Sequence, residues 1–258
     1  MWEPQIVDYS KVRTVDIDSL LSGGIPAIVV KNFYKKDLCR KIVTRIENCK
    51  KNYFLNGHSM HIGTFLMAYA TQKELYFEDV KKYEYALNSI FSKIKNPALK
   101  IHEFINSVMP HFDISQAREF HSKYSPFIVR IHEKGKSIPI HKDNVKYEGI
   151  EYEISKIDHQ LSCVLHLQES EYGGNLVIYN KQWNKENEVF RNIDFGYSSK
   201  LISSVASCEI PNITSGDLVI INPNYYHKVT KITGKNPRIT LGMFLGIFEG
   251  AQKIVTWA

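Results

Sequence analysis

Cysteine is scarce in this chain, which has four cysteines among 258 residues. None of them stands in a Cys-x-x-Cys pair, so the sequence offers neither a disulfide framework nor the usual spacing of a cysteine-based zinc site. A chain of this length can bury a substantial core without covalent cross-links. We expect reduced thiols in a cytoplasmic protein at Cys39, Cys49, Cys163 and Cys208.

The chain also lacks long apolar runs, and no stretch approaches the length needed to cross a bilayer. Residues 1–4 have neither a basic nor an apolar region, so we expect no signal peptide and no membrane as a partner. The net charge is +6, but Lys and Arg are spread along the chain rather than gathered in a stripe. This distribution argues against nucleic acid as a partner; a pocket for small anions or plain surface solubility explains it equally well.

The first part of the chain has helical periodicity after one short apolar strand at residues 25–30. Apolar residues recur at helical spacing over residues 37–49, 83–91 and 101–108. In the first of these segments Lys and Arg occupy the opposite face, as in a helix that covers a core. We predict a mainly helical support over residues 1–120.

The pattern changes near Tyr124, where short apolar segments separated by turn residues begin. A succession of short strands with few helices between them is typical of an antiparallel sandwich or barrel. We therefore predict an α+β fold of one domain, residues 1–258, in which residues 121–258 form a cupin-like jelly-roll core. The predicted strands are residues 127–132, 138–143, 161–167, 175–179, 218–222 and 239–248.

Two histidines and one aspartate follow predicted strands in a pattern that suits a metal ion. His141 and Asp143 are two residues apart at the end of a strand, so their side chains point to the same face. His227 follows the apolar strand at residues 218–222. Two imidazoles and one carboxylate leave the other positions of an iron(II) ion open for further ligands. The alternative is that His-x-Asp is a chance match and that His227 is an ordinary hydrogen-bonded polar residue.

An arginine and a threonine follow on the next predicted strand. Arg238 lies eleven residues after His227, behind the turn at residues 234–237, so the chain returns beside the histidine. A guanidinium there could hold a carboxylate through two parallel hydrogen bonds. Thr240 shares the strand face of Arg238 and could add a hydroxyl. Arg130, on an earlier strand, is a further candidate for binding a carboxylate of a cosubstrate or substrate, or else a structural ion-pair partner.

Two further features border these residues. The segment 184–211 is long, polar and weakly periodic, and a loop of this length in a compact domain is typical of a lid or binding loop. Trp183, which precedes it, is interpreted as a packing residue rather than as a wall of the pocket. Three other histidines have no partner at ligand spacing, so we expect them to lie outside the metal site: His132, His159 and His166.

Several stretches resemble a known family: residues 124–126, 173–179, 183–184, 216–218, 225–230 and 237–240, and more loosely residues 63–65 and 83–91. They resemble the Fe(II)/2-oxoglutarate-dependent oxygenases, and particularly the carrier-independent halogenases of hapalindole and welwitindolinone alkaloid biosynthesis. The resemblance implies a double-stranded β-helix core that uses Fe(II), 2-oxoglutarate and dioxygen. It also implies His141 and His227 as iron ligands and Arg238 as the residue that holds 2-oxoglutarate.

One residue departs from the halogenase pattern. Those enzymes have glycine at the position of Asp143, which leaves room for chloride on the iron. A carboxylate would occupy that position and add negative charge, so chloride should be excluded and Asp143 should complete the triad of His141 and His227. We therefore predict hydroxylation of an unactivated C–H bond in a free small molecule, such as an amino acid, an alkaloid or a nucleotide, by a monomer or homodimer.

Three alternatives stay open at the level of the sequence. The same site could carry out desaturation, cyclisation or halogenation instead of hydroxylation. The jelly roll could bind a metal without oxygenase activity, as cupin-type proteins do. The chain could also modify a protein or a nucleic acid, which the absence of a basic stripe disfavours.

Overall fold

The computed structural model describes residues 2–48, 54–55, 60–193 and 196–258. The expectations for Cys49 and for the last residue of the predicted helix 37–49 fall outside these residues. None of the helices within them combines the length and the apolarity that crossing a membrane requires.

The helices form where the sequence combines an apolar stripe with a suitable first turn. In the second helix Ile42 and Ile46, four residues apart, are both buried on one face. The fourth helix begins behind Asn96, whose side chain accepts a hydrogen bond from the Ala98 N–H at 2.9 Å, and Pro97 fills the first position, where its missing N–H costs nothing. In the described residues the α-helices are α1 (Ile17–Ser22), α2 (Lys36–Asn48), α3 (Lys73–Ile90), α4 (Pro97–Val108) and α5 (Val145–Glu148).

The strands are numbered in chain order. The described strands are β1 (Gln5–Asp8), β2 (Ala27–Lys31), β3 (Phe54–Leu55), β4 (Met60–Ile62), β5 (Asp113–Gln116), β6 (Arg118–Glu119), β7 (Ser122–Lys123), β8 (Ile128–His132), β9 (Ile138–His141), β10 (His159–Gln168), β11 (Leu176–Gln182), β12 (Arg191–Ile193), β13 (Gly196–Tyr197), β14 (Ser207–Glu209), β15 (Leu218–Ile221), β16 (Tyr225–Val229), β17 (Arg238–Phe248) and β18 (Lys253–Trp257).

Two sheets with the topology of a jelly roll form the body of the molecule. The main sheet has the order β1-β2-β15-β10-β17-β8-β4-β3, with β18 on β17 and β5 on β18; the minor sheet has the order β14-β11-β16-β9. From β8 to β17 the chain crosses repeatedly between the two sheets, and neighbours in this part are antiparallel. This is the double-stranded β-helix arrangement, so the predicted α+β fold with a jelly-roll core is confirmed.

The two faces of the main sheet have different neighbours, because alternate residues of a strand point to opposite sides. On β17, Ile239 and Leu241 belong to the large core that the sheet shares with α2, α3 and α4. Arg238 and Thr240, which alternate with them along the strand, point to the other side. That side faces the minor sheet. Val219 of β15, in the main sheet, packs there in one cluster with Ile178 of β11, in the minor sheet. Functional side chains are therefore expected between the sheets.

The N-terminal part contributes strands as well as helices. β1 pairs in parallel with β2, and β2 pairs with β15; at the other edge β4 pairs with β8. The described part of residues 2–120 thus extends the main sheet at both edges and covers its outer face with helices. The predicted strand at residues 25–30 corresponds to β2, and the predicted helix at residues 83–91 is the second half of α3.

Candidate metal centre

His141 and His227 lie directly opposite each other on neighbouring strands of the minor sheet. His141 is the last residue of β9, its register partner His227 lies on β16, and the two ring centroids are 4.1 Å apart. Cross-strand partners share a sheet face. Tyr225, two residues before His227, packs in the cluster between the sheets, so both imidazoles face the interior of the jelly roll.

Asp143 joins the two histidines from just beyond β9. Its N–H donates to the Pro223 carbonyl oxygen at 2.9 Å, and its Oδ2 atom is 3.7 Å from Nε2 of His227. One ligand atom from each of Asp143, His141 and His227 lies within 4.8 Å of the other two. Donors that bind one ion at about 2.1 Å are roughly 3 to 4 Å apart, so these side chains fit a metal ion. Within the described residues this is the one cluster of its kind.

Both imidazoles are oriented by carbonyl groups of their own strands. The Nδ1–H of His141 donates to the Pro139 oxygen at 2.9 Å, and the Nδ1–H of His227 donates to the Tyr225 oxygen at 2.8 Å. A carbonyl oxygen only accepts, so Nδ1 carries the proton and Nε2 keeps its lone pair for a metal. Burial, with the charge of His141 adding to it, lowers the pKa of His227 to about 4. His227 is therefore a neutral ligand at pH 7.

Arg238 is a buried cation on the interior face of the main sheet. It lies opposite His132 of β8, it is 4% exposed, and its Nε atom has no hydrogen-bond partner among the described residues. The Oε2 atom of Glu169 is 3.9 Å from that Nε, which is too long for a hydrogen bond. Burial lowers the pKa of Arg238 and Glu169 opposes this, yet a guanidinium stays charged in proteins. Its unused donor fits a ligand with a carboxylate.

Arg130 and Thr240 are cross-strand partners on the same interior face. Thr240 is buried, and the Arg130 guanidinium carbon lies 4.7 Å from the centre of the Phe65 ring. Burial lowers the pKa of Arg130, the charge of Asp143 raises it, and the charge of Arg238 lowers it further. The Arg130 guanidinium therefore interacts electrostatically with both the metal cluster and the second arginine, and the predicted cofactor-binding residues share one face of the pocket.

Two glycines make room for these guanidinium groups. A Cβ atom at Gly242 would lie 2.8 Å from Nη1 of Arg130, and one at Gly174 would lie 3.1 Å from Cδ of Arg238. Glycine inside or beside a strand often marks a close approach of another group. Glycines at these positions are a sequence signal for the two buried guanidinium groups, and the sequence-based prediction of the site did not include them.

The histidines expected to lie outside the metal site are not part of the cluster. His166 contacts Glu169, with Nδ1 and Oε1 2.6 Å apart, and His159 contacts Glu249 at 2.9 Å. Burial, followed by the charges of two arginines, lowers the pKa of His132 to about 3. His132 is therefore neutral over the ordinary pH range.

The described residues of the segment predicted as a lid or binding loop cover the outer face of the minor sheet. Tyr197 and Leu201 pack in one cluster with Tyr226, the neighbour of His227, and β14 then pairs with β11. We call the described residues of 183–205 the outer segment. Its aromatic side chains lie behind the metal ligands rather than over them, because Tyr226 and His227 point to opposite faces of β16. Trp183 packs in the same cluster, as interpreted.

A jelly roll with two histidines and an aspartate on its inner face is the arrangement of 2-oxoglutarate-dependent oxygenases, and structures of such enzymes have this fold. The chain is similar to an N-substituted L-amino acid dioxygenase from Burkholderia ambifaria AMMD, with a TM-score of 0.62 and 13% identity over 94% of this chain and 90% of that chain. For the alpha ketoglutarate dependent carbocyclase SnoK from nogalamycin biosynthesis the TM-score is 0.52, with 9% identity over 89% and 83% of the two chains. For HygX from Streptomyces hygroscopicus, solved with nickel and 2-oxoglutarate, it is 0.50, with 11% identity over 91% and 88%.

Sequence comparison gives the family. The model of the carrier-protein-independent halogenase WelO5 matches residues 6–258, and the chain belongs to this family. No curated protein matches the chain significantly. The resemblance inferred from the sequence motifs is therefore confirmed.

Proposed function

We propose that this chain is an Fe(II)- and 2-oxoglutarate-dependent dioxygenase that hydroxylates an unactivated C–H bond of a free small molecule. His141, Asp143 and His227 are the iron ligands in this proposal. The observation that carries it is the convergence of two imidazoles and one carboxylate on the inner face of the jelly roll. This donor set is typical of non-haem iron(II) oxygenases.

The three side chains leave the remaining coordination positions of an iron ion free. With 2-oxoglutarate and dioxygen, bound iron would supply the oxidising power for C–H cleavage, with succinate and carbon dioxide as coproducts. The protein contributes position: the backbone-bonded Nδ1 atoms of His141 and His227 aim both Nε2 atoms at one point. Asp143 supplies the anionic ligand, held by its own N–H on the Pro223 carbonyl.

We assign 2-oxoglutarate to the buried arginines of the main sheet. The molecule has a carboxylate at each end, so a metal and a buried cation can hold one end each. Arg238 offers a guanidinium with an unpaired donor, Thr240 offers a hydroxyl on the same strand face, and Arg130 offers a second guanidinium beside Asp143. The proteins of similar fold that were solved with alpha-KG, or with nickel and 2-oxoglutarate, support 2-oxoglutarate as the cosubstrate.

Asp143 favours hydroxylation over halogenation. The halogenases that the sequence resembles have glycine at this position, which leaves a coordination site for chloride. In this chain a carboxylate stands 3.7 Å from the His227 Nε2 atom, so it would occupy that site and repel a second anion. Family membership nevertheless makes halogenation the second candidate function, and desaturation and cyclisation use the same residues.

The test is succinate release over a panel of amino acids, nucleotides and indole alkaloids, with product masses measured in the presence of chloride. Hydroxylation adds one oxygen atom, whereas halogenation replaces hydrogen by chlorine. Asp143→Ala should lower substrate-dependent succinate release more than about 100-fold, because loss of an outer-shell partner alone costs about 10- to 100-fold. Full activity of that variant would remove Asp143 from the ligand set.

Asp143→Gly separates the two candidate reactions. It opens the position that chloride uses in the halogenases, so a chloride-dependent change in the spectrum of the metal-loaded variant is expected, with no such change in the unaltered protein. Chlorinated product from the unaltered protein would contradict the hydroxylase proposal. Absence of succinate with every compound, together with normal metal binding, would favour a metal-binding cupin-type protein.

A further inference from the structure

A buried lysine lies directly behind the metal ligands. Lys142 stands between His141 and Asp143, just beyond β9, and its contact with Trp183 of the outer cluster places its side chain on the outer face of the minor sheet, away from the metal cluster. Lys142 is 3% exposed. A lysine is almost never fully buried unless it is paired, so its partners explain why it is there.

Those partners hold the ammonium group from several sides. The Nζ atom of Lys142 is 2.7 Å from Oε1 of Glu148. It also lies 4.6 Å from the centre of the Trp183 ring and 5.0 Å from the centre of the Tyr147 ring. The two rings are themselves 4.4 Å apart. A cation between aromatic faces and a carboxylate has little freedom to move.

The network continues from Glu148 into the outer segment. Oε1 of Glu148 accepts a hydrogen bond from Nη2 of Arg191 at 3.1 Å, and Nε of Arg191 donates to Glu188 at 2.6 Å. Glu188 also accepts from the indole N–H of Trp183 at 2.5 Å and from the hydroxyl of Tyr197 at 2.6 Å. The lysine is thus connected to the outer segment through its ion pair with Glu148, and charge-assisted hydrogen bonds, which are stronger than neutral ones, continue the network from Glu148 onward.

The same segment also contacts the strand of the other histidine. Tyr226, beside His227 on β16, donates its hydroxyl to Oδ1 of Asn187 at 3.2 Å, and its ring centroid is 5.0 Å from that of Tyr197. Both ligand-bearing strands are therefore supported from behind by one piece of chain. Lys142 is the charged contact of the first strand, and Tyr226 is the aromatic contact of the second.

Stability alone does not account for this arrangement. Desolvation of two charges offsets much of their attraction, so well-packed apolar residues often stabilise a protein as much as a buried ion pair does. The ion pair and the two rings hold the ammonium group at one place, however, and groups behind metal ligands commonly tune the affinity for the metal. A side chain held in this way between two candidate ligands therefore points to a role in ligand geometry.

We propose that Lys142 is a positioning residue for the metal centre. Through Glu148 and the outer segment it fixes the end of β9, and with it the relative placement of His141 and Asp143. This inference rests on the proposed function only in taking those two residues as metal ligands. In this proposal the outer segment supports the metal site from behind and does not act as a lid over the substrate.

The test compares metal binding by Lys142→Met and Lys142→Arg. Methionine keeps the apolar stem between the rings and removes the charge, whereas arginine restores a cation. The apparent Kd for Mn(II), measured on apoprotein from the EPR signal of the free ion, is expected to rise about 10-fold in Lys142→Met. Lys142→Arg should recover most of the affinity. Thermal unfolding of each variant shows whether it is folded. If Lys142→Met does not fold, Glu148→Gln replaces it, because glutamine has nearly the shape of glutamate and removes the charge that pairs with Lys142.

Lys73→Met is the matched control, because Lys73 forms an ion pair with buried Glu119 and lies 5.7 Å from the Tyr152 ring centre. It should leave the Mn(II) affinity unchanged. Wild-type affinity in folded Lys142→Met, or in Glu148→Gln when that variant replaces it, would overturn the inference. The failures of the two proposals are distinguishable. Unaltered Mn(II) binding by Asp143→Ala would refute the ligand assignment. Weaker Mn(II) binding by Asp143→Ala, with unaltered binding by folded Lys142→Met, would refute only the role of Lys142.

Discussion

At the scale of single residues, the cluster of His141, Asp143 and His227 could be predicted from the sequence, and the groups behind it could not. His141 and Asp143 follow from the two-residue period of a strand, and Arg238 follows from its place after a turn beside His227. Lys142 carried no such signal, because a lysine next to a ligand ordinarily points to solvent. Its burial depends on Glu148 and the outer segment, which come close only in the folded chain.

Removal of the buried guanidinium should affect the cosubstrate more than the metal. Arg238→Ala is expected to raise the KM for 2-oxoglutarate about 10- to 100-fold, because a charge-assisted hydrogen bond contributes about 1.5 to 3 kcal/mol. Succinate release at varied 2-oxoglutarate measures this change, and Mn(II) affinity should stay near that of the unaltered protein. Exposed Arg13→Ala serves as the control. An unchanged KM in Arg238→Ala would place the cosubstrate carboxylate elsewhere.

At the scale of elements, long strands were predicted well and irregular segments poorly. The predicted strands 161–167 and 239–248 correspond to β10 and β17 within one or two residues, because their apolar runs are bounded by turn residues. The predicted strand 138–143 stops at His141, since the Asp143 N–H bonds the Pro223 carbonyl instead of a neighbouring strand. The outer segment has short strands and 3-10 turns, which leave no period to detect.

Gly173, between β10 and β11, and Gly135, between β8 and β9, allow a matched pair of glycine substitutions. Gly173 and Gly135 both have positive φ, +71° and +87°, but a Cβ atom at Gly173 would overlap the Lys231 carbonyl oxygen, whereas Gly135 has open space. Gly135→Ala should cost about 1 to 2 kcal/mol of unfolding free energy for its backbone alone. Gly173→Ala should cost about 3 kcal/mol, because overpacking adds to the strain. Urea unfolding measures both, and equal losses would show that the overlap relaxes.

At the scale of the whole molecule, we propose that residues 1–258 form a single domain. β1 and β2 extend the main sheet at β15, and the helices of the N-terminal part share one core with that sheet. The sequence predicted the helical layer and the jelly roll separately. It could not indicate that β1 pairs with β2 and β4 with β8, because those pairings depend on contacts distant along the chain.

Acid should destabilise the metal-free protein through its buried neutral histidines. The pKa of His132 is about 3 in the folded chain and about 6.5 when unfolded. Between these values the unfolded chain binds more protons, so stability falls as pH decreases through this window. From pH 7 to pH 5 this histidine alone should remove about 2 kcal/mol of unfolding free energy.

The variant His132→Gln should reduce the difference between the unfolding free energies at pH 7 and pH 5 by about that amount. Urea unfolding of the apoprotein at the two pH values gives the difference. His121→Gln, at an exposed site, is the control variant. The same pH dependence in His132→Gln as in the unaltered protein would mean that His132 does not contribute to it.

The alternation of the main sheet has a consequence for insertions and deletions. Arg238 and Thr240 face the interior of the jelly roll while Ile239 and Leu241 face the helices, so the loss of one residue at the start of β17 would exchange the two sets. Such a change would place a guanidinium and a hydroxyl in the aliphatic core and aliphatic groups beside the candidate metal ligands. Evolution should therefore alter the length of the loops and spare that of the strands, and an engineer who shortens a strand should expect to lose folding and catalysis together.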